Sequence, residues 1–209
     1  MLSQRASWVS VSVLLALGGT RALGAQVLDF STVACSGSGS QNLGNSVTQN
    51  GYVVSAAPTF DLAEWCDGNA NAPGAPAIFF NTVGSGGMLT AAGGAAFSLH
   101  TIDLAQLFVG PNFNEVLTFT GHLVGGSTVT QSFTVPGQAS GAPVLSTYLF
   151  QPTFANLTSV DFAGQNHYQF TNVVLNVSAV PEPSALALLG TGALGLIGVN
   201  ARRRHLRSR

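Results

Sequence analysis

The sequence predicts an all-β fold, a jelly-roll-like antiparallel β-sandwich over residues 26–179. Short apolar and β-branched runs with a period of two are separated by Gly, Pro, Asn and Ser, which is typical of sandwiches and barrels. No apolar period of 3.6 persists in this region, so an ordinary amphipathic helix is not expected. The predicted strands are 27–31, 52–56, 77–81, 96–104, 115–124, 127–135, 147–150, 157–163 and 167–177.

The strongest alternation is in residues 127–135, where valine and phenylalanine share one face and threonine and serine the other. The glycines at 125–126 precede this strand and predict a tight hairpin, because glycine adopts the positive φ that short turns need. In the strand over 96–104 the alternation changes phase near His100 and Thr101. That slip predicts a β-bulge.

Charge is scarce, at 7% of residues, and it is unevenly placed. There is no lysine, and every arginine lies within the first 21 or the last eight residues. Between residues 26 and 180 there are seven carboxylates and no Lys or Arg. Nucleic-acid binding requires cations that neutralise phosphates, so the middle domain is not expected to bind nucleic acid. The carboxylates are Asp29, Asp61, Glu64, Asp67, Asp103, Glu115 and Asp161.

Residues 1–25 have the pattern of a secretory signal peptide. Arg5 supplies a positive start, residues 8–17 form a short apolar core, and Ala22 and Ala25 are small residues of the kind that signal peptidase requires. An uncleaved anchor is the alternative. Export into an oxidising compartment predicts that Cys35 and Cys66 form a disulfide, the alternative being two buried thiols.

The C-terminal region 180–209 has three parts in a fixed order: a Pro-Glu-Pro, an uncharged apolar tract and a cluster of arginines. The tract predicts a transmembrane helix over 184–201, although its uncharged part, 184–199, is only about 24 Å long as a helix. Flanking arginines extend its reach and are expected on the cytoplasmic side. The residues of the signal are Pro181, Glu182, Pro183, Arg202, Arg203 and Arg204.

This ordered trio resembles the PEP-CTERM sorting signal of Gram-negative bacteria. The resemblance implies recognition and cleavage by an exosortase near residues 181–183, after which the protein is released or transferred to the cell surface or extracellular matrix. It also implies a role beside exopolysaccharide in biofilm or floc formation. A plain tail-anchored helix is the alternative, but that interpretation leaves the Pro-Glu-Pro unexplained.

The second half of the middle domain, about residues 96–177, resembles a domain found in many PEP-CTERM proteins. The matching stretches are 97–105, 117–122, 157–162 and 168–174. The resemblance implies a jelly-roll sandwich of the galactose-binding or carbohydrate-binding-module kind. Such domains usually carry Asp-Asn in the last strand, whereas this chain has Thr171 followed by Asn172.

Neutral sugars bind to an aromatic platform flanked by amide or carboxylate groups. Trp65, Tyr168 and Asn172 are the predicted sugar contacts. Further candidates are Tyr148, Asn112, Asn114 and Asn166. Core, turn or strand-edge positions are the alternative for each of them.

A calcium site is a second hypothesis, because Asp61, Glu64 and Asp67 place three carboxylates near one another in the chain. The alternative is a solvated acidic loop in which Trp65 packs over the disulfide. The middle-domain histidines, His100, His122 and His167, lack the spacing of a metal site.

Catalytic motifs are absent from the sequence. No Gly-x-Ser-x-Gly elbow follows a strand, and no carboxylate pair is marked as a general acid and base. We expect a non-catalytic protein without a cofactor, whose partners are signal peptidase, exosortase, the membrane before processing, and an exopolysaccharide. A self-associating surface spacer is the alternative, and a surface hydrolase is a third.

Overall fold

The computed structural model describes residues 25–82, 86–110, 113–162 and 167–176. Most of the predicted signal peptide and the whole predicted sorting signal therefore lie outside the described residues. Within them the secondary structure is thirteen strands and two short 3-10 turns, Ser31–Val33 and Ala92–Gly94. No helix in the described ranges is long and apolar enough to span a membrane.

The strands form two antiparallel sheets. Sheet A runs in the order β11 (Ser146–Leu149), β8 (Leu99–Gln106), β13 (Tyr168–Leu175), β6 (Ile78–Phe80), β5 (Leu62–Trp65) and β2 (Ser40–Gly44), and β1 (Gln26–Leu28) also pairs with β13. Sheet B runs in the order β10 (Thr128–Val135), β9 (Glu115–Leu123), β12 (Leu157–Phe162), β7 (Gly87–Ala91), β4 (Tyr52–Ala56) and β3 (Ser46–Gln49). The chain crosses repeatedly between the sheets, which confirms the predicted jelly-roll-like antiparallel sandwich.

Aromatic rings fill the space between the sheets. Phe162 of sheet B stacks on Phe170 of sheet A, with ring centroids 5.1 Å apart. Phe119 meets Phe162 edge-on at 5.3 Å, and Tyr168 lies beside Phe170. These side chains are at most 2% exposed. Their burial removes a large apolar area from water and is the main source of the sandwich's stability.

Two local predictions are confirmed. The β9–β10 hairpin closes through Gly126, whose N–H donates to the Leu123 carbonyl at 3.0 Å, and both turn glycines have positive φ. In sheet A, Leu175 pairs with Leu99 while Val174 pairs with Thr101, so the residue between them on β8 is the extra residue of a bulge.

Four strands were not predicted, namely β2, β3, β5 and β7. Strand β2 reads Ser-Gln-Asn-Leu-Gly and β7 begins with glycine, so both have the composition of a loop. Strand β5 is short and carries a glutamate. Strands β2, β5 and β7 pair with strands that are distant in the sequence, which local propensity does not encode, whereas β3 pairs with the next strand, β4, and was missed although a short hairpin joins the two.

A candidate aromatic site on the outer face of sheet A

Strands β5 and β6 each turn an aromatic residue away from the core. Ile78 and Phe80 face the opposite sheet, so Phe79 between them faces outward, as period-two geometry requires. Trp65 of β5 stacks on Phe79 with ring centroids 5.2 Å apart and an interplanar angle of 27°. The Trp65 indole N–H donates to the Leu107 carbonyl at 3.2 Å, which fixes the ring over the outer face.

Further rings continue from Trp65 across one end of sheet A. Phe108 meets Trp65 edge-on at 6.0 Å and lies 6.2 Å from His167, whose ring is 5.7 Å from Phe113. Phe108 and Phe113 are 37% and 47% exposed, which is unusual for phenylalanine. We call Phe79, Trp65, Phe108, His167 and Phe113 the aromatic strip.

An open cleft of about 140 Å³ lies against the Trp65 end of the aromatic strip. Three side chains of its lining, Ser40, Asn81 and Thr82, are polar and the rest are apolar. The apolar lining residues are Trp65, Phe79, Phe80, Leu107 and Phe108.

A buried amide supports the loop that carries Phe108. Gln169 is 0% exposed, and its Nε2 donates to the carbonyls of Asn71 and Gln106, each at 2.8 Å. The Asn71 side chain in turn accepts the Val109 N–H at 2.9 Å. Loop and strand are therefore joined by one buried and two partly buried hydrogen bonds, and a hydrogen bond is stronger where it is shielded from water.

A second buried amide holds Phe113. Gln106 is 3% exposed, and its Nε2 donates to the Phe113 carbonyl at 2.7 Å. Its Oε1 accepts the Gln138 N–H at 3.2 Å. The loops that carry Phe108 and Phe113 are therefore held in place through the hydrogen bonds of Gln169 and Gln106. The aromatic strip is thus largely preformed.

His167 joins the aromatic strip to a buried carboxylate. Its Nδ1 lies 3.4 Å from Oε2 of Glu115, and its backbone N–H donates to Oε1 at 3.4 Å. The Glu115 side chain is only 5% exposed. Burial, together with the Glu115 charge, raises the pKa of the Tyr168 hydroxyl above its ordinary value.

Of the three predicted sugar contacts, the structure places only Trp65 in the cleft. Tyr168 is 2% exposed in the core and has no ring face to offer, so its assignment as a sugar contact is corrected by its burial. Asn172 adopts φ 47° at an irregularity of β13 and donates to Oδ2 of Asp103 at 2.8 Å. It does not line the cleft.

The further candidates are scattered. The Tyr148 hydroxyl donates to the Thr134 carbonyl at 3.0 Å, which ties β11 to β10. Asn114 accepts the Gly137 N–H at 3.1 Å in a surface loop. Asn112 and Asn166 lie outside the described residues.

The proposed calcium ligands do not converge. Asp61 accepts a hydrogen bond from the Asn42 amide at 2.8 Å, Asp67 is exposed, and Glu64 is 1% exposed and faces the sandwich interior. Over the described ranges, no three His, Cys, Asp or Glu side chains are grouped so that they could hold a metal ion. Calcium binding by these residues therefore stays a prediction without a preformed group of ligands.

Glu64 is instead an isolated buried carboxyl. Its Oε2 has no hydrogen-bond partner, and burial, with a smaller effect of the Asp67 charge, raises its pKa to about 7. One residue further along than Trp65, Cys66 is joined to Cys35 by the predicted disulfide, with an S–S distance of 2.01 Å. The disulfide ties the segment before β2 to the end of β5.

Phe79, Phe108 and Phe113 were missed as site residues. A signal was present, because each is an aromatic residue in a strand or close to the end of one. The sequence could not show that the Ile-Phe-Phe run of β6 turns its middle residue outward, since that depends on which face sheet B covers.

A larger cleft of about 550 Å³ lies at one end of strands β4, β7 and β12 of sheet B. Its polar groups are already engaged: Asn45 donates to the Phe60 carbonyl at 2.8 Å, and Ser55 to the Met88 carbonyl at 3.4 Å. Its carboxylate, Asp161, is bound by Nε2 of His122 at 2.7 Å. This cleft therefore offers a ligand fewer free hydrogen-bonding groups than its size suggests.

The chain carries a PEP-CTERM protein-sorting motif, matched over residues 179–204. This confirms the sorting signal predicted from the sequence, and the match includes the Pro-Glu-Pro and the three arginines at 202–204. The motif implies an exported surface protein that an exosortase processes. No curated protein matches the chain.

Three solved structures are similar at a low level. The first, the enzymatically active domain of Bacteriophage CBA120 tailspike protein 4, has a TM-score of 0.33 and 11% identity over 61% of this chain and 19% of that one. A family 29 carbohydrate-binding module mutant has a TM-score of 0.32 and 12% identity over 73% and 90%. A family 11 carbohydrate-binding module of Clostridium thermocellum has 0.30 and 8% over 69% and 97%. The chain thus spans under a fifth of the tailspike domain, and similarity this low carries no ligand or activity to it.

Proposed function

We propose that this chain is a non-catalytic, exosortase-sorted surface or matrix protein that associates with a neutral exopolysaccharide through the aromatic strip. The observation that carries the proposal is the pair of exposed phenylalanines that continue the aromatic strip from Trp65, Phe108 directly and Phe113 through His167, on loops that Gln169 and Gln106 help to fix. Exposed aromatic rings on a rigid support are costly in water and indicate a binding surface.

The chemistry of the cleft favours a sugar. The axial C–H groups of a pyranose ring pack on an aromatic face, while its hydroxyls need hydrogen-bonding groups at the edges of that face. Trp65 and Phe108 supply rings, and Ser40 and Asn81 supply edge groups in the same cleft. The open shape suits a polymer that passes over the surface rather than a ligand that is enclosed.

The charge of the domain favours a polymer without carboxylates or sulfates. The residues from 26 to 176 contain seven acidic side chains and no Lys or Arg. Such a surface repels polyanions at low salt, and nothing in it would pair with a uronate. The proposed ligand is therefore a neutral polysaccharide.

The proposal gives the His122–Asp161 pair no catalytic role. A nucleophilic triad needs a hydroxyl or thiol hydrogen-bonded to the histidine. In the part of the chain that the structure describes, the His122 ring hydrogen-bonds to Asp161 at 2.7 Å. Both cysteines are joined in the disulfide.

Polysaccharide pull-down with the processed protein tests the proposal. Trp65→Ala should weaken retention on a neutral matrix polymer about fivefold, since one ring contact is worth about 1 kcal/mol. Leu149→Ala is the control, because Leu149 is 69% exposed on β11, away from the cleft. Equal retention of the two variants would contradict the assignment of the site, and no retention of the unaltered protein on any host polymer would contradict sugar binding.

Self-association as a surface spacer is the second candidate. It is favoured by Val144 and Leu149, which are 65% and 69% exposed at the edge of sheet A. Apolar side chains that are this exposed can pack against another copy of the chain. Concentration-dependent assembly in the absence of polysaccharide would support this candidate over the first.

A further inference from the structure

The last described residue is fastened to one end of the sandwich. The Asn176 N–H donates to the Ser98 carbonyl at 2.9 Å, and its side-chain oxygen accepts the Ser98 N–H at 2.9 Å. Its side-chain amide also hydrogen-bonds the Tyr52 hydroxyl. The point at which the chain leaves the domain toward the sorting motif is therefore fixed.

Four connecting segments surround this exit point, and we call them the exit rim: residues 49–52, 91–98, 123–128 and 151–157. Backbone hydrogen bonds join them in pairs. The Ala92 N–H donates to the Gly51 carbonyl at 2.7 Å, and the Val124 N–H donates to the Asn156 carbonyl at 2.9 Å. Residues 92–96 and 124–128 are exposed. The rim is thus a defined surface at one end of the molecule.

The exit rim carries no charged residue. Its four segments contain none of the seven carboxylates of the middle domain, but the exposed Asp29 borders the rim, where its Oδ1 accepts a hydrogen bond from Nε2 of Gln49 at 2.6 Å. Asp61, Glu115 and Asp161 lie at or near strand ends on the opposite side. The rim instead presents alanine, glycine, asparagine, glutamine and threonine, with Val124 60% exposed.

The exit rim is also close to the predicted anchor. Eight residue steps separate Asn176 from the start of the apolar tract at residue 184, a reach of at most about 28 Å when fully extended. Strand β13, with 8 residues, is about 27 Å long. The precursor therefore holds its domain within about one domain length of the bilayer.

We propose that in the anchored precursor the exit rim faces the outer surface of the lipid bilayer. Bilayers with anionic headgroups repel carboxylates within a Debye length of about 10 Å. The rim would bring Asp29 toward the headgroups, whereas the opposite end would bring Asp61, Glu115 and Asp161, and the rim is also the end to which the tether is fixed. The aromatic strip, at the start of β13, then points away from the membrane and is accessible before cleavage.

The test uses the full-length precursor in vesicles of phosphatidylethanolamine and phosphatidylglycerol that contain a lipid with a nitroxide on its headgroup. Ala95→Cys places a fluorescent label on the exit rim, and Ser140→Cys places the same label on an exposed loop at the opposite end. Ser127→Cys and Ala139→Cys form a second pair in case one variant fails to fold. Resistance to alkaline extraction establishes that the precursor is anchored.

Quenching by the nitroxide should be severalfold stronger at Ala95 and Ser127 than at Ser140 and Ala139. Equal quenching at both ends would contradict the orientation, as would stronger quenching at Ser140 or none at either end. A precursor that alkali extracts from the vesicles would overturn the anchor and this proposal together. None of these outcomes depends on whether the aromatic strip binds a polysaccharide.

Discussion

The Gln131 side chain of β10 caps the backbone of Leu149 at the free edge of β11. Its Nε2 donates to the Leu149 carbonyl at 3.0 Å, while its Oε1 accepts the Gln151 N–H at 2.8 Å. This one amide therefore satisfies two backbone groups at the edge of β11 that would otherwise be open to pairing with another strand. It also links the two sheets along one side of the sandwich. Blocking of an edge in this way protects it from pairing with another chain.

Gln131→Ala should expose that edge and promote self-association. The variant loses two hydrogen bonds, leaving the Leu149 carbonyl and the Gln151 N–H free for another copy. Sedimentation velocity over a range of concentrations measures the effect, with Thr130→Ala, exposed on the same strand, as the control. If Gln131→Ala stays monomeric wherever the control does, the amide does not protect the edge.

Gln169→Leu should destabilise the domain by about 2–4 kcal/mol. The substitution keeps most of the buried volume but removes the donor to the buried carbonyl of Gln106 and to the partly buried carbonyl of Asn71. Urea unfolding monitored by tryptophan fluorescence measures the loss. Gln41→Leu, on the exposed edge strand β2, is the matched control and should change stability by less than about 0.5 kcal/mol.

Gln169→Leu should also weaken polysaccharide retention, because the loop that bears Phe108 loses the hydrogen bonds that hold it in place. Stability that is unchanged in Gln169→Leu would mean that the buried amide network does not hold the loops as the structure indicates.

Glu64 should make the protein less stable as the pH rises toward neutrality. Its folded-state pKa, about 7, lies above the ordinary value of 4.5, so the folded state binds the proton more tightly than the unfolded state. The stabilising contribution is complete below about pH 4.5 and is lost as the pH rises through about 7.

Glu64→Gln removes this dependence and should be more stable than the unaltered protein above pH 7, by about 1–3 kcal/mol. Thermal unfolding of both proteins between pH 4 and 8 measures the difference. Comparing the two cancels the contribution of Asp29, whose pKa is lowered by hydrogen bonds from Gln49 and Ser31 and whose effect falls at more acidic pH. Parallel pH profiles would contradict the assignment.

Reduction of the Cys35–Cys66 disulfide should cost about 3 kcal/mol. The bond closes a loop with a sequence separation of 31 and so limits the freedom of the unfolded chain. Urea unfolding with and without reductant measures the loss, and the Cys35→Ser/Cys66→Ser variant should match the reduced protein in both conditions. A reductant effect that persists in the double variant would show that it does not act on this bond.

The sequence predicted those parts of the fold whose conformation depends on residues that are close together in the chain. Alternation in β10 and the two glycines before it were sufficient for the β9–β10 hairpin, and the phase change at His100 was sufficient for the bulge. Strands β2 and β5 were missed because their composition suits a loop and their pairing partners are 20 or so residues away.

The site was predicted in part for the same reason. Trp65 and Tyr168 are both aromatic residues at the ends of strands, yet one lies in an exposed cleft and the other is buried between the sheets. The outcome depends on which face of sheet A is covered by sheet B, a property of the whole topology. The amides beneath the aromatic strip, Gln106 and Gln169, carry no sequence signal because their role depends on distant carbonyls.

The central claim is that a folded domain is delivered to the cell exterior and is cut from its anchor at the sorting motif. It is tested most directly by intact-mass spectrometry of the protein recovered from the envelope and culture fluid of an exosortase-containing host. A mature form that begins near Gln26 and ends near residues 181–183 is the expected result. A C-terminus still at Arg209 in the surface-exposed protein would contradict processing, leaving a sandwich domain held on the membrane by its own tail.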